Sequence, residues 1–249
     1  MLPIKRWGNG GEPVVLVHGF LGSADVWGPA AALLGRSFEV IAVDLPGFGS
    51  HTAETSPDRI EDFAHAVLDT ATRLRLDRFH LIGHSMGGMI AQQAAIDGTG
   101  RIAKLVLYGT TDSGALPHRF EPITATIDRM RARGVVAIGQ EIARSWFADG
   151  VAPAGCLAAV DNVTIESATA ALTAIHRWDL RPRLQELNMP CLAICGDRDR
   201  STAPEEMLLL YRRLPRAQWC VLPGCAHAAH LERTDMWVEV VDRFLGAPS

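Results

Sequence analysis

The stretch Phe79-His80-Leu81-Ile82-Gly83-His84-Ser85-Met86-Gly87-Gly88 places the tightest constraint on what this chain can become. Phe79 to Ile82 reads as a buried strand, and Met89 to Ile96 carries apolar residues at helical spacing. Ser85 falls on the turn between them, with a glycine two residues away on either side. So sharp a strand-to-helix reversal brings neighbouring backbone into contact, and a Cβ at position 83 or 87 would crowd it. The serine hydroxyl is pushed outwards, beside a helix N-terminus whose unpaired N–H groups face any negative charge that develops there. A plain N-cap serine after a flexible glycine has the same letters. The strand before and the helix after are what turn the pattern into a nucleophile elbow.

The rest of the chain repeats the alternation. Strands are expected at Leu2 to Trp7, Val14 to Val17, Phe38 to Val43, Lys104 to Tyr108, Cys191 to Cys195 and Gln218 to Leu222. Between Phe38–Val43 and the elbow strand, Ser56-Pro57-Asp58 reads as a helix start, with a capping hydroxyl and proline at the first position, ahead of an apolar face from Ile60 to Leu74. Strands alternating with helices argue for a mostly parallel sheet that binds ligands at the carboxyl ends of its strands. From Asp112 to about Leu187 the strands stop and helical periodicity takes over, at Ile123 to Arg133, Val135 to Phe147, Ala154 to Val160 and Glu166 to Trp178. The strand pattern resumes at Cys191, a helix is expected over Pro204 to Leu214, and a last helix opens near His227 and ends near Leu245. A chain of 249 residues with 48% hydrophobic content can bury one sizeable core but not two independent domains comfortably.

Several segments at the strand ends carry a resemblance. His18-Gly19-Phe20 follows the second strand, Asp44-Leu45-Pro46-Gly47-Phe48-Gly49 the third, the elbow the fourth, and Gly196-Asp197-Arg198-Asp199 the sixth, with His227 after the last. Together they resemble the α/β-hydrolase family over nearly the whole chain outside the middle. The resemblance implies the α/β-hydrolase fold: a mostly parallel twisted sheet flanked by helices, with residues 1–111 and 188–249 as core and 112–187 as an inserted helical cap. It also implies a triad in the order Ser85, Asp199, His227, in which the histidine is general base and the carboxylate orients its ring. The backbone N–H groups of Phe20 and Met86 would form the oxyanion hole. Within the cap, Trp146, Phe147, His176 and Trp178 could line a pocket or pack the cap onto the core, and Trp146 and Trp178 are taken as the candidate substrate-binding side chains.

Other residues compete for these roles. Asp197 lies two residues from Asp199, and Asp112 sits where some relatives place their acid; the Gly196 and Pro204 context favours Asp199. His230 is read as a structural neighbour bonded to Glu232, since a His227-x-x-His230 metal pair lacks a third ligand at a recognisable spacing. His18 and Asp44 are read as loop braces and Trp27 as packing at a helix start. Relatives usually carry glycine before the histidine, whereas this chain has Ala226; a positive φ there would cost on the order of 1 kcal/mol.

A formal charge of −4 and no Lys/Arg cluster with interleaved aromatics argue against a nucleic-acid partner. No apolar run approaches the ~18 residues that span a bilayer, and the N-terminus lacks a signal-peptide pattern, so no membrane association and a cytoplasmic location are expected. The five cysteines are read as free thiols, with neither a disulfide framework nor a metal site. The chemistry implied is hydrolysis of a small carboxylic ester or lactone through an acyl-enzyme, with no cofactor and no metal, in a chain open to homo-oligomerisation. Two alternatives stay open: a C–C bond hydrolase of ring-cleavage products, which more often has Asn where this chain has His84, and a hydrolase-fold ligand receptor.

Overall fold

The computed structural model describes residues 1–115 and 121–248. In chain order the elements are β1 Ile4–Trp7, β2 Pro13–Val17, α1 Gly28–Leu34, β3 Glu39–Val43, α2 Ile60–Arg73, β4 Phe79–His84, α3 Met86–Asp97 and β5 Ile102–Tyr108. Four helices follow, α4 Ile123–Arg133, α5 Val135–Ser145, α6 Ala154–Ala158 and α7 Ile165–Arg177. The chain then completes its sheet with β6 Cys191–Gly196, α8 Pro204–Arg213, β7 Ala217–Leu222, α9 Ala229–Glu232 and α10 Thr234–Gly246.

The strands form one sheet in the order β1-β3-β2-β4-β5-β6-β7. Only β1 runs antiparallel, against β3; the remaining pairs are parallel. Alternation along the strands sorts the core into two layers. Val15, Val17, Leu81, Leu105 and Leu107 belong to the layer that holds the buried faces of α2 and α3 and is continuous with apolar residues of the middle helices. Val14, Leu16, Ile82, Val106 and Ile194 face the layer of Trp27, Trp237 and Phe244, where α1 packs against α10. Central parallel strands are covered on both faces, which is why they read as unbroken apolar runs instead of alternating ones. Lys104 is buried at the far end of β5 because its ammonium donates to the carbonyls of Phe244 at 3.0 Å, Leu245 at 2.8 Å and Ala247, closing the C-terminal end of α10.

Two local expectations change. The hydroxyl of Ser56 does not cap α2, which begins at Ile60 after Arg59. It donates instead to the carbonyl of Pro46 at 2.8 Å, while its N–H donates to Ser167 Oγ at 3.2 Å, tying the loop after β3 to α7. The last helix is broken in two at Arg233, whose φ of −139° interrupts the helical run between α9 and α10. Among the described residues, no helix is long and apolar enough to cross a membrane.

Candidate active site

Ser85 follows the last residue of β4 and caps α3 with φ +57° and ψ −121°, a region that L-residues rarely occupy. Glycine is required around it for close approach. A Cβ on Gly83 would stand 2.2 Å from the carbonyl oxygen of Gly87, and one on Gly87 would stand 2.3 Å from that of Val17. The strained turn is held by its neighbours: Ser85 N–H donates to the Tyr108 carbonyl at 2.9 Å, and Thr110 Oγ1 donates to the Ser85 carbonyl at 2.7 Å.

Because β4, β6 and β7 run parallel, the residues after them meet at one rim. Asp199 and His227 are both buried, and His227 Nδ1 lies 2.7 Å from Asp199 Oδ2. The other oxygen of Asp199 accepts from the N–H groups of Ser201 at 2.8 Å and Thr202 at 2.9 Å, so both carboxylate oxygens are engaged. Glycine makes this packing possible too. A Cβ on Gly109 would lie 3.2 Å from His227 Nδ1 and 3.3 Å from Asp199 Oδ2, and one on Gly196 would meet the Cys225 and Ala226 carbonyls at 2.2 and 2.3 Å.

Two cavities flank the serine, and Phe20, Ser85, Trp146 and His227 line both. The larger, about 60 Å³, is walled by Met89, Ile123, Ile142, Leu172 and Ile175 with Thr110 and Thr202 on its polar side. The smaller, about 20 Å³, reaches Gly19, His84, Cys156 and His230. Phe20 is held close to the elbow: a Cβ on Gly19 would stand 2.9 Å from Ser85 Cβ. Met86 is the first residue of α3, where a backbone N–H has no place in the intrahelical ladder.

Competing residues have other work. Asp197 accepts from the Gly224 N–H at 2.7 Å at an exposed position, and Asp112 pairs with Arg213. Asp44 accepts from the N–H groups of Ala24 at 2.6 Å and Ser50 at 3.0 Å. His18 Nε2 accepts from the Leu45 N–H at 3.1 Å, which leaves the proton on Nδ1 to be donated to the Gly19 carbonyl at 2.8 Å. Burial holds this imidazole below its ordinary pKa, as suits a neutral loop brace. Ala226 is not among the residues with positive φ, so alanine before the histidine is unstrained; Gly224 takes that conformation instead, at +74°.

Two side chains depart from their sequence-based reading. Trp178, expected at the pocket, is absent from both linings because its indole Nε1 donates to Gln93 Oε1 at 3.1 Å, pinning the end of α7 to α3. His230 is not bonded to Glu232. It lies against Tyr108 and Trp27, while the Glu232 carboxylate accepts from the N–H groups of Ala226 and Ala148, each at 2.7 Å. Together with the bond from Ala228 N–H to the Trp146 carbonyl at 2.9 Å, this fastens the segment after α5 to the loop that carries His227.

Buried neutral imidazoles give the molecule an acid-labile side. Burial, and then the neighbouring His227, push His230 down to about 3, and burial followed by the same neighbour holds His84 well below its ordinary value. Each is neutral when folded and takes up a proton on unfolding once the pH drops below about 6.5, so stability is full above that pH and falls below it. Between pH 6.5 and 5, His230 alone removes about 2 kcal/mol. Urea midpoints at pH 7 and pH 5 check this, and equal midpoints would contradict neutral burial.

A parallel sheet with a strained serine at a strand-to-helix turn, and an acid and a histidine after later strands, is the layout of an α/β-fold hydrolase. The model described as "Alpha/beta hydrolase family" matches residues 14–243, and the chain belongs to that family. It is similar to a pimeloyl-[acyl-carrier protein] methyl ester esterase of Aeromonas hydrophila, at 27% identity over 98% of each chain. It is also similar to a 2-hydroxy-6-oxononadienedioate/2-hydroxy-6-oxononatrienedioate hydrolase of Dechloromonas aromatica, at 27% identity over 96% of this chain and 88% of that one. The solved enol-lactonase of Burkholderia xenovorans LB400 shares the fold with a TM-score of 0.88 at 24% identity, covering 99% of this chain and 96% of that one.

Sequence reading missed Tyr108, Thr110, Glu232 and the apolar wall from α4, α5 and α7. Leu172 and Ile175 stand one helical turn apart on α7, but the other wall residues come singly from α3, α4 and α5, and nothing local marks which helix face turns towards Ser85. The bonds of Tyr108 to His227 and of Glu232 to Ala148 join distant segments and leave no local pattern.

Proposed function

We propose that the protein is a serine hydrolase that cleaves a small carboxylic ester or lactone through an acyl-enzyme on Ser85. The observation that carries this reading is that His227, paired to Asp199 at 2.7 Å, lines the same cavities as a serine held at φ +57°. Nδ1 donates to the carboxylate, which leaves the Nε2 lone pair free to take the serine proton as Oγ attacks the carbonyl carbon. The N–H groups of Phe20 and Met86 receive the developing oxyanion, an interaction worth about 3 kcal/mol per donor. His227 then protonates the leaving alkoxide, activates water, and the acid departs. Residues 112–187 act as a cap over a core of 1–111 and 188–249, with Trp146 as its contact to substrate. The free cysteines suit a cytoplasmic setting.

Esterase and lactonase relatives support this substrate class. C–C bond hydrolysis of a ring-cleavage product is a second reading, favoured by the similarity to the dienedioate hydrolase. A turnover screen with short and long acyl esters, lactones and a ring-cleavage dienoate, run beside Ser85→Ala, separates them. Hydrolysis of a short ester or lactone that Ser85→Ala abolishes is the expected result. Preference for the dienoate by a large factor overturns the ester assignment, and binding of a ligand without turnover favours a receptor.

A further inference from the structure

The reaction just described needs Ser85 and His227 at a fixed separation, yet they stand on different loops, far apart in the chain. We propose that His84 and Tyr108, the last residues of β4 and β5, set that separation as positioning residues that grip the backbone carbonyl of His227. This rests on the hydrolase reading above and adds a role for two side chains that the triad does not use.

The two residues are register partners on adjacent parallel strands, and their rings stack with centroids 4.5 Å apart and planes at 28°. Both side chains reach the same acceptor. His84 Nε2 lies 2.9 Å from the His227 carbonyl oxygen, and Tyr108 Oη donates to it at 2.7 Å. A carbonyl can only accept, so the proton of His84 must sit on Nε2, and the hydroxyl proton of Tyr108 is likewise committed. The tyrosine oxygen is held in turn by the His230 N–H, which donates to it at 3.2 Å.

Each member of the pair also touches the serine side. His84 is covalently joined to Ser85, and the Tyr108 carbonyl accepts the Ser85 N–H at 2.9 Å. A single residue, Tyr108, therefore holds the elbow through its backbone and the histidine loop through its side chain. His84 does the same through a peptide bond and an imidazole. Both rings are buried in the layer with Trp27, so the grip is rigid and charge-free. Two charge-neutral donors on one carbonyl fix the direction of the His227 main chain more tightly than either alone, which limits how far its ring can swing from Asp199 and Ser85.

Tyr108→Phe, which removes a single oxygen, His84→Leu, and the double variant test this. Steady-state kinetics on a short ester, melting temperature, and the far-downfield proton resonance of the His227–Asp199 bond are measured on each. A roughly tenfold loss of kcat is expected from each single change and roughly hundredfold from the pair, with KM little altered and the downfield resonance broadened or displaced. His84→Gln, whose amide can donate from about the position of Nε2, is expected to recover much of the kcat lost in His84→Leu. The proposal is overturned if the double variant keeps wild-type kcat and an undisturbed resonance, or if glutamine recovers no more activity than leucine at equal melting temperature. Ser85→Ala in the same assay keeps the two readings separate. If it turns over like wild type, the assignment of Ser85 as nucleophile fails, and the positioning role that rests on it fails with it; if it is inactive while the gripping variants are normal, only the positioning role fails.

Discussion

Replacing Ser85 by alanine is expected to lower kcat roughly 10⁶-fold while leaving the fold and KM nearly unchanged. The loss expected is large because, in the mechanism proposed, the hydroxyl alone forms the acyl-enzyme and the acid, the histidine and the oxyanion donors act on the reaction it begins. Folding is spared because the turn is shaped from outside the side chain. Gly83 and Gly87 permit the close approach, Thr110 holds the Ser85 carbonyl and Tyr108 its N–H, so an alanine Cβ stands where the serine Cβ stood. The positive φ costs both residues alike, on the order of 1–2 kcal/mol, and so cancels from the comparison. A residual rate of roughly 10³–10⁴ over water is what the oxyanion donors and binding can sustain without the nucleophile. Stopped-flow and steady-state assays on one ester check the result, with circular dichroism to confirm the fold. A variant that turns over within tenfold of wild type removes Ser85 from the role.

Much of this architecture was legible in the chain because it rests on local patterns. The glycines at 83 and 87 announce a close backbone approach that the structure places at 2.2 and 2.3 Å. The strand ends follow from apolar runs stopped by polar or glycine residues, and parallel strands then bring Asp199 and His227 to the rim beside Ser85. What could not be read depends on tertiary pairing. Trp178 was a reasonable pocket candidate by type, but its indole is fixed by Gln93, a residue 85 positions earlier. His230 and Glu232 are two residues apart and looked like partners, yet the turn of α9 sends the carboxylate to Ala148 and Ala226. Alanine at 226 is accommodated for a similar reason: the loop takes its positive φ two residues earlier, at Gly224. Family patterns mark where a conformation usually falls, and a loop can meet the same need from a neighbouring residue.

Asp199→Asn is expected to cost about 10⁴-fold in kcat, through the tautomer it imposes on His227 and with little loss of stability. The geometry makes the outcome specific. One oxygen of Asp199 accepts from two backbone N–H groups, those of Ser201 and Thr202, and the other faces His227 Nδ1 at 2.7 Å. An asparagine must turn its carbonyl oxygen towards the two backbone donors, because an NH₂ there would confront two N–H groups. Its NH₂ then points at Nδ1 and donates to it. The imidazole is forced to carry its proton on Nε2, and a protonated Nε2 cannot accept from Ser85. In the proposed mechanism, loss of the carboxylate charge would also remove the partner that stabilises the imidazolium in the transition state. Asp197→Asn is the decisive comparison. Among the described residues, Asp197 Oδ1 accepts only from the Gly224 N–H, which the amide oxygen of asparagine can still do, so its effect on kcat is expected to be small. Kinetics on both variants in one preparation rank the two carboxylates. Loss of activity in Asp197→Asn with full activity in Asp199→Asn would reverse the assignment, and would require the loop after β6 to rearrange so that a carboxylate now exposed reaches a histidine now buried.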